Sequence, residues 1–173
     1  MSWPLETTTG SADATRALAA ALAPLCRAGD VVLLIGDLGA GKTVFAQGFA
    51  AGLGVAGPVT SPTFALVRHY RCGPASAVTA LIHADVYRTG SAAEVTDLAL
   101  AELVEEDAVA VVEWGDLAAP ALGESALEVT LVAPDPVAMP EARTVSIVGR
   151  GRWSDRADEV AAVLVPSAGR GAR

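Results

Sequence analysis

Cysteine is scarce in this sequence: Cys26 and Cys72 are the only two among 173 residues, with no C-x-x-C pair and no cluster at metal-ligand spacing. That argues against a disulfide-stapled scaffold and a cysteine metal site, and two unpatterned thiols read as small buried hydrophobes. Long apolar runs are missing as well. Although 52% of the residues are hydrophobic, no run approaches the roughly 20 residues of a membrane span, so no membrane association is expected. Met1-Ser2-Trp3-Pro4-Leu5-Glu6 lacks the basic-then-apolar order of a secretion signal, and the expected location is cytoplasmic. Positive charge is in deficit, with 12 Lys and Arg against 20 Asp and Glu and a net charge of −8. Because phosphate neutralisation supplies most of the affinity for nucleic acid, tight direct binding of RNA or DNA is disfavoured. An acidic total can still hide a local basic patch, for instance Arg68, His69, Tyr70 and Arg71. No internal repeat and no second domain is visible. The expectation is one domain over residues 1–165, followed by a small, polar, basic tail over 166–173 that is too poor in apolar residues to order.

What is present is concentrated in Gly36-Asp37-Leu38-Gly39-Ala40-Gly41-Lys42-Thr43. The octapeptide fits G-x-x-x-x-G-K-[ST], the phosphate-binding P-loop. Val31-Val32-Leu33-Leu34-Ile35 precedes it as a buried-strand run, and Val44-Phe45-Ala46-Gln47-Gly48-Phe49-Ala50 follows as a helix. The chemistry needs that order. Gly36, Gly39 and Gly41 let successive N–H groups, with those of Ala40, Lys42, Thr43 and Val44, turn toward phosphate oxygens, and the helix N-terminus faces the same anion. Lys42 can reach the β- and γ-phosphates and the Thr43 hydroxyl can hold Mg²⁺.

The remaining pattern predicts an α/β domain of the P-loop NTPase type, three-layered, with a mostly parallel central sheet and added antiparallel strands. Ser11 reads as the N-cap of a helix over 12–27, with Leu18, Leu22 and Leu25 as its apolar stripe and Pro24 bending or ending its last turn. The P-loop helix is expected over 44–53, stopped by Gly54. Strands are expected over 65–70, 78–84, 108–112, 126–132 and 143–148, with Gly73-Pro74 and Ala133-Pro134-Asp135-Pro136 as turns. A helical segment carries Glu94, Asp97, Leu98, Leu100, Glu102 and Leu103. Ser154 reads as the cap of a last helix ending near Leu164.

Open α/β sheets bind ligands at the C-terminal ends of their strands, and two acids fall there: Asp85 after Ala80–Ala84, and Glu113 after Val109–Val112. Either can bind Mg²⁺ directly or through water, or orient an attacking water. Spacing does not divide these roles. Ser61-Pro62-Thr63-Phe64 offers hydroxyls to a γ-phosphate or metal, or is an ordinary turn. His83 can polarise phosphate, move a proton or be a hydrogen-bonded structural residue. Arg88 reads as an arginine finger or a surface ion-pair partner, and Trp114 as a stacking surface or a core residue.

Together GDLGAGKT at Gly36–Thr43, SPTF at Ser61–Phe64, HADVYR at His83–Arg88 and VVEW at Val111–Trp114 resemble the TsaE (YjeE) family of bacterial P-loop ATPases over roughly residues 10–148. The resemblance implies ATP binding, slow hydrolysis to ADP and phosphate, and a role in threonylcarbamoyladenosine modification of tRNA with TsaD- and TsaB-like partners. It implies that tRNA is met only through that complex. It carries the family's magnesium ligands onto Thr43 and Glu113, its HxDxYR aspartate onto Asp85, and its switch-like loop onto Ser61 and Thr63. Thr8–Ser11, and so Ser11, together with Arg143, correspond to segments the family uses around the nucleotide. Asp85, Lys42 and Glu113 are therefore the expected catalytic residues.

Two other readings of the P-loop remain. A small-molecule kinase needs an acceptor pocket and usually a lid with arginines, and no compact multi-arginine segment follows this P-loop. A GTPase-like switch with little turnover would usually carry N-K-x-D, which the sequence lacks.

Overall fold

In the computed structural model, residues 2–62, 66–87, 93–94, 100–104, 107–122 and 125–164 are described. The strand Val31–Ile35 (β2) is buried along both faces because its side chains alternate between two cores. Val32 and Leu34 join one cluster, and Val31 and Leu33 join the other. The same alternation repeats in Ala80–Asp85 (β4) and Ala108–Glu113 (β5). A sheet with two apolar faces needs a layer on each. On one side lie Ala12–Leu22 (α1) and Lys42–Gly52 (α2), which supply Ala19, Leu22, Phe45 and Phe49. On the other lie Leu100–Val104 (α3) and Gly115–Leu122 (α4), which supply Leu100, Val104 and Ala118.

The remaining elements are Trp3–Thr9 (β1), Val67–Arg71 (β3), Leu127–Val132 (β6), Arg143–Gly149 (β7) and Ala157–Leu164 (α5). The sheet has seven strands in the order β1-β7-β6-β2-β5-β4-β3. Its centre, β6-β2-β5-β4, is parallel; β7 on one side and β3 on the other run antiparallel to it, and β1, antiparallel to β7, runs again in the direction of the centre. The expected three-layer α/β architecture is thus the one observed.

The departures have local causes. Pro24 ends α1 at Leu22, and the next turn, Ala23–Leu25, is a 3₁₀ helix. The P-loop helix begins two residues before the expected Val44, at Lys42. Ser154 is not an N-cap: with φ −56° and ψ −34° it closes the 3₁₀ turn Gly151–Trp153, and α5 starts only at Ala157. An N-capping residue needs extended backbone, which Ser154 lacks. Strand β1 and helix α4 were not anticipated. Pro4 argues against a strand, but β1 lies at the sheet edge, where a missing N–H costs little. Thr63, Phe64, Arg88, Asp97, Leu98 and the tail from residue 166 lie outside the described residues.

Candidate functional site

The P-loop leaves β2 at Gly36 and enters α2 through Gly41, whose φ of 103° is in the region that favours glycine, as is the 79° of Gly39. Lys42 then folds back over its own loop. Its Nζ donates to the carbonyls of Gly36 at 2.5 Å and Asp37 at 2.9 Å, and sits 3.7 Å from the centroid of the Trp114 ring. Burial holds the ammonium below its ordinary value of 10.5, while Glu113, Asp85, Asp116 and Asp37 pull the other way.

The two strand-end acids meet because β4 and β5 are parallel neighbours in a register that sets Asp85 opposite Glu113. The pleat turns both toward α2, on the face of Leu81, Val109 and Val111. Glu113 is 3% exposed. It accepts from Thr43 Oγ1 at 3.1 Å and 2.9 Å through Oε1 and Oε2, and its Oε1 lies 2.9 Å from His83 Nε2. Asp85 is half-buried and accepts from Ser61 Oγ at 2.8 Å and from the Tyr87 N–H at 3.1 Å. Lys42, Thr43, Val44, Ser61, Asp85, Tyr87, Glu113 and Trp114 line one cavity of about 410 Å³, together with Leu38, Gly39 and Gly41 of the loop.

A smaller hollow of about 200 Å³ adjoins it through Gly41 and Val44, and is otherwise lined by Ala12, Thr15, Pro140, Glu141 and Arg143. Arg143 binds the outside of the loop, with Nε donating to the Ala40 carbonyl at 2.7 Å and Nη2 to that of Gly39 at 3.1 Å. Ser11 is spent locally, its Oγ accepting the Ala14 N–H at 3.1 Å as the cap of α1. Ala12 and Thr15 of α1 are among the residues lining this hollow, and Ser11 is not. Gly36 and Ala40 turn their backs to the cavity: a Cβ on Gly36 would stand 2.5 Å from the Leu131 carbonyl, and Ala40 is buried in the core.

One cavity-lining side chain, Tyr87, falls outside the sequence expectations. Tyr87 stacks on Trp114 with centroids 4.6 Å apart, and its signal is the tyrosine of HADVYR. Trp114 takes φ 61°, a conformation that costs a side-chain residue roughly 1–2 kcal/mol. Its ring packs against both Lys42 and Tyr87. His83, for which three roles were open, does not line the cavity; it lies behind Glu113. The basic patch falls on the edge strand β3, with Arg68, His69 and Arg71 exposed and Tyr70 half-buried.

The donor set suits a small hard cation. A hydroxyl and a carboxylate oxygen in contact, at the end of a phosphate loop, are the two protein ligands Mg²⁺ uses when phosphate and water supply the rest. Among the described residues no group of three or more His, Cys, Asp or Glu forms an all-protein metal cage, and none of their helices is long and apolar enough to cross a membrane.

Comparison with known proteins bears on the family and the fold. The family model described as threonylcarbamoyl adenosine biosynthesis protein TsaE matches residues 9–139. A tRNA threonylcarbamoyladenosine biosynthesis protein TsaE from Streptomyces coelicolor is 42% identical over 142 residues, covering 80% of this chain and 93% of that protein. The protein of the same name from Bacillus subtilis is 40% identical over 127 residues, covering 73% and 77% respectively. The crystal structure of Bacillus subtilis YdiB superposes with a TM-score of 0.75 at 30% identity, over 94% of this chain and 97% of that one.

Proposed function

The chain belongs to the TsaE family, and from that premise we propose that it is an ATP-binding, slowly hydrolysing accessory ATPase of tRNA threonylcarbamoyladenosine biosynthesis. The observation that carries the reading is the pairing of Asp85 with Glu113 across β4 and β5, facing Lys42 and Thr43 in one cavity. In this reading the triphosphate occupies the larger cavity, against the loop amides and Lys42. The nucleoside lies in the adjoining hollow between Ala12, Val44 and Arg143. Thr43 and Glu113 would hold Mg²⁺, which when bound offsets phosphate charge that four nearby carboxylates would otherwise repel.

Lys42 is already desolvated, so its exchange of two loop carbonyls for phosphate oxygens needs little further loss of water. Glu113 stays fixed between Thr43 and His83. Asp85 keeps acceptor capacity toward the cavity and orients the attacking water. The water oxygen bonds to the γ-phosphorus as the bridging bond to ADP breaks, and its proton passes to Asp85 or to phosphate. Ser61 binds the same carboxylate, so a change at Asp85 on hydrolysis is felt in the loop that begins there. Through that loop the nucleotide state alters affinity for TsaD- and TsaB-like partners, to the extent that they contact the two states differently. Transfer RNA is met through the complex, in keeping with the net charge of −8.

The test is reconstitution with a TsaD–TsaB pair and tRNA, scoring multiple-turnover modification. Lys42→Ala is expected to lose ATP binding and all support of turnover. Asp85→Asn is expected to bind ATP but lose at least about tenfold in partner-stimulated hydrolysis. Normal ATP affinity in Lys42→Ala would overturn the reading of the site, and full hydrolysis by Asp85→Asn would remove Asp85 from the chemistry.

A further inference from the structure

His83 has no part in the chemistry above, yet it is 0% exposed and stands beside Val111 in the β4–β5 register, two residues before Asp85. Its Nε2 lies 2.9 Å from Glu113 Oε1. A carboxylate can only accept, so the imidazole proton sits on Nε2. Nδ1 is then the ring atom without a hydrogen-bond partner among the described residues. The tautomer that serves Glu113 is thus also the one that avoids an unmet buried N–H. Tyr70 flanks the ring, with centroids 6.5 Å apart.

We propose that His83 is a positioning residue that orients Glu113 for its cation. Thr43 Oγ1 reaches both carboxylate oxygens, at 3.1 Å and 2.9 Å, and so does not by itself choose between them. His83 engages Oε1 alone, which leaves Oε2 and the Thr43 hydroxyl as the oxygen pair turned to the site. Hydrogen-bonded supports of this kind are worth about 10- to 100-fold in metal affinity. The inference rests on the assignment of Thr43 and Glu113 as the cation's protein ligands. It predicts that His83 governs the magnesium requirement of nucleotide binding and leaves metal-free nucleotide affinity alone.

Binding of N-methylanthraniloyl-ATP, followed by fluorescence in excess EDTA and across a range of Mg²⁺ concentrations, separates the two. His83→Leu removes the donor but keeps an apolar filling, whereas His83→Gln returns an N–H near the Nε2 position. His83→Leu is expected to raise the Mg²⁺ midpoint by about tenfold or more, and His83→Gln to restore most of it. Affinity in EDTA should stay within about twofold across the series. An unchanged midpoint in His83→Leu, or an equal loss with and without Mg²⁺, would overturn the proposal, the second outcome marking a purely structural residue. No binding by the wild-type chain in either condition would instead sink the nucleotide reading beneath it. Nitrogen-15 NMR of the wild-type imidazoles gives a measure independent of the variants' folding. With two histidines in the chain, the His83 signals are those that persist in His69→Ala. They should show a protonated Nε2, and a bare Nε2 would refute the arrangement.

Discussion

Replacing Gly48 by alanine sets two opposed effects against each other, and the structure says which should win. Gly48 faces α1 from the middle of α2, and a Cβ there would stand 2.3 Å from the Arg16 carbonyl oxygen and 2.5 Å from its Cα. Gly52, one turn on, meets Ala20 in the same way, at 2.4 Å from its oxygen. Both obstacles are backbone, so no side-chain end can swing aside. The helices would have to part by about 1 Å to regain ordinary contact. Alanine recovers about 1 kcal/mol of helix propensity over glycine, while overpacking costs about 1–3 kcal/mol, toward the upper end where backbone must move. The expected net effect of Gly48→Ala is a loss of about 1–2 kcal/mol. Because α2 carries Lys42 and Thr43 in its first turn, nucleotide binding should weaken with it. Urea unfolding followed by circular dichroism reads the first effect, and binding of a fluorescent ATP analogue the second. Gly10→Ala is the control, since a Cβ there meets nothing within 4 Å, and its effect should stay below about 0.5 kcal/mol. A Gly48→Ala protein at least as stable as the wild type, with an unchanged urea slope, would refute the close-packing argument.

Arg156 on the approach to α5 forks onto Asp30 in the turn before β2, at 2.5 Å and 3.2 Å, with both side chains buried. Arg156→Met should cost about 3–5 kcal/mol by stranding the aspartate, and adding Asp30→Asn should recover most of it; a single variant within about 1 kcal/mol of wild type in urea would contradict this. Cys26 is buried, and burial together with the nearby Asp30 pushes its thiol well above the ordinary 9.0. The unfolded chain therefore loses this proton above pH 9.0 while the folded one keeps it, so stability should fall with rising pH by about 1.4 kcal/mol per unit. Cys26→Ala should lessen that slope, and an identical slope would argue against a raised thiol. Burial raises the half-buried Cys72 thiol as well, with a hydrogen bond from Ser76 opposing it. Iodoacetamide should label Cys72 slowly in the native protein and Cys26 only on unfolding, and rapid native labelling of Cys26 would contradict its burial.

The central architecture could be read from sequence because each piece carried its own signal. Val31–Ile35 is apolar throughout and β-branched at three of its five positions, the octapeptide after it has few structural uses, and the runs ending at Asp85 and Glu113 are likewise mostly apolar. What escaped depends on partners far away in the chain. β1 is a strand because Leu5 and Thr7 pair with Ile147 and Val145, and because Gly149 leaves room for the Trp3 ring. Nothing within Trp3–Thr9 announces that, and Pro4 argues against it. α4 opens on a glycine that a Cβ would drive into Leu33 and contains Pro120. Its helicity follows from burying Ala118 against β2 and not from propensity. At the site, the residue types were legible and their orientations were not. Ser11 satisfies both a capping reading and a nucleotide-side reading until its oxygen is seen on the Ala14 N–H. His83 keeps three roles open until the register places it behind Glu113.

That register also bears on how two neighbouring acids come to differ, the question spacing left open. Glu113 is held by Thr43 from the first turn of α2 and by His83 from the middle of β4. Both partners stand on regular secondary structure, His83 is itself buried, and so is the carboxylate. A ligand to a small cation with strict geometry is best supplied from such a setting, since each displaced oxygen costs affinity directly. Asp85 draws its partners from irregular backbone, Ser61 on one side and Tyr87 on the other, and keeps a face to the cavity. An acid that must meet a moving water and register the loss of a phosphate gains from partners that can rearrange. The burial contrast therefore supports a fixed, cation-holding Glu113 and an adaptable Asp85 without appeal to distance from any phosphate. Ser61 binds Asp85 and not Glu113. Under the proposed mechanism, coupling to the fixed acid would transmit nothing, whereas the hydrogen bond to Asp85 would carry a change there to Ser61.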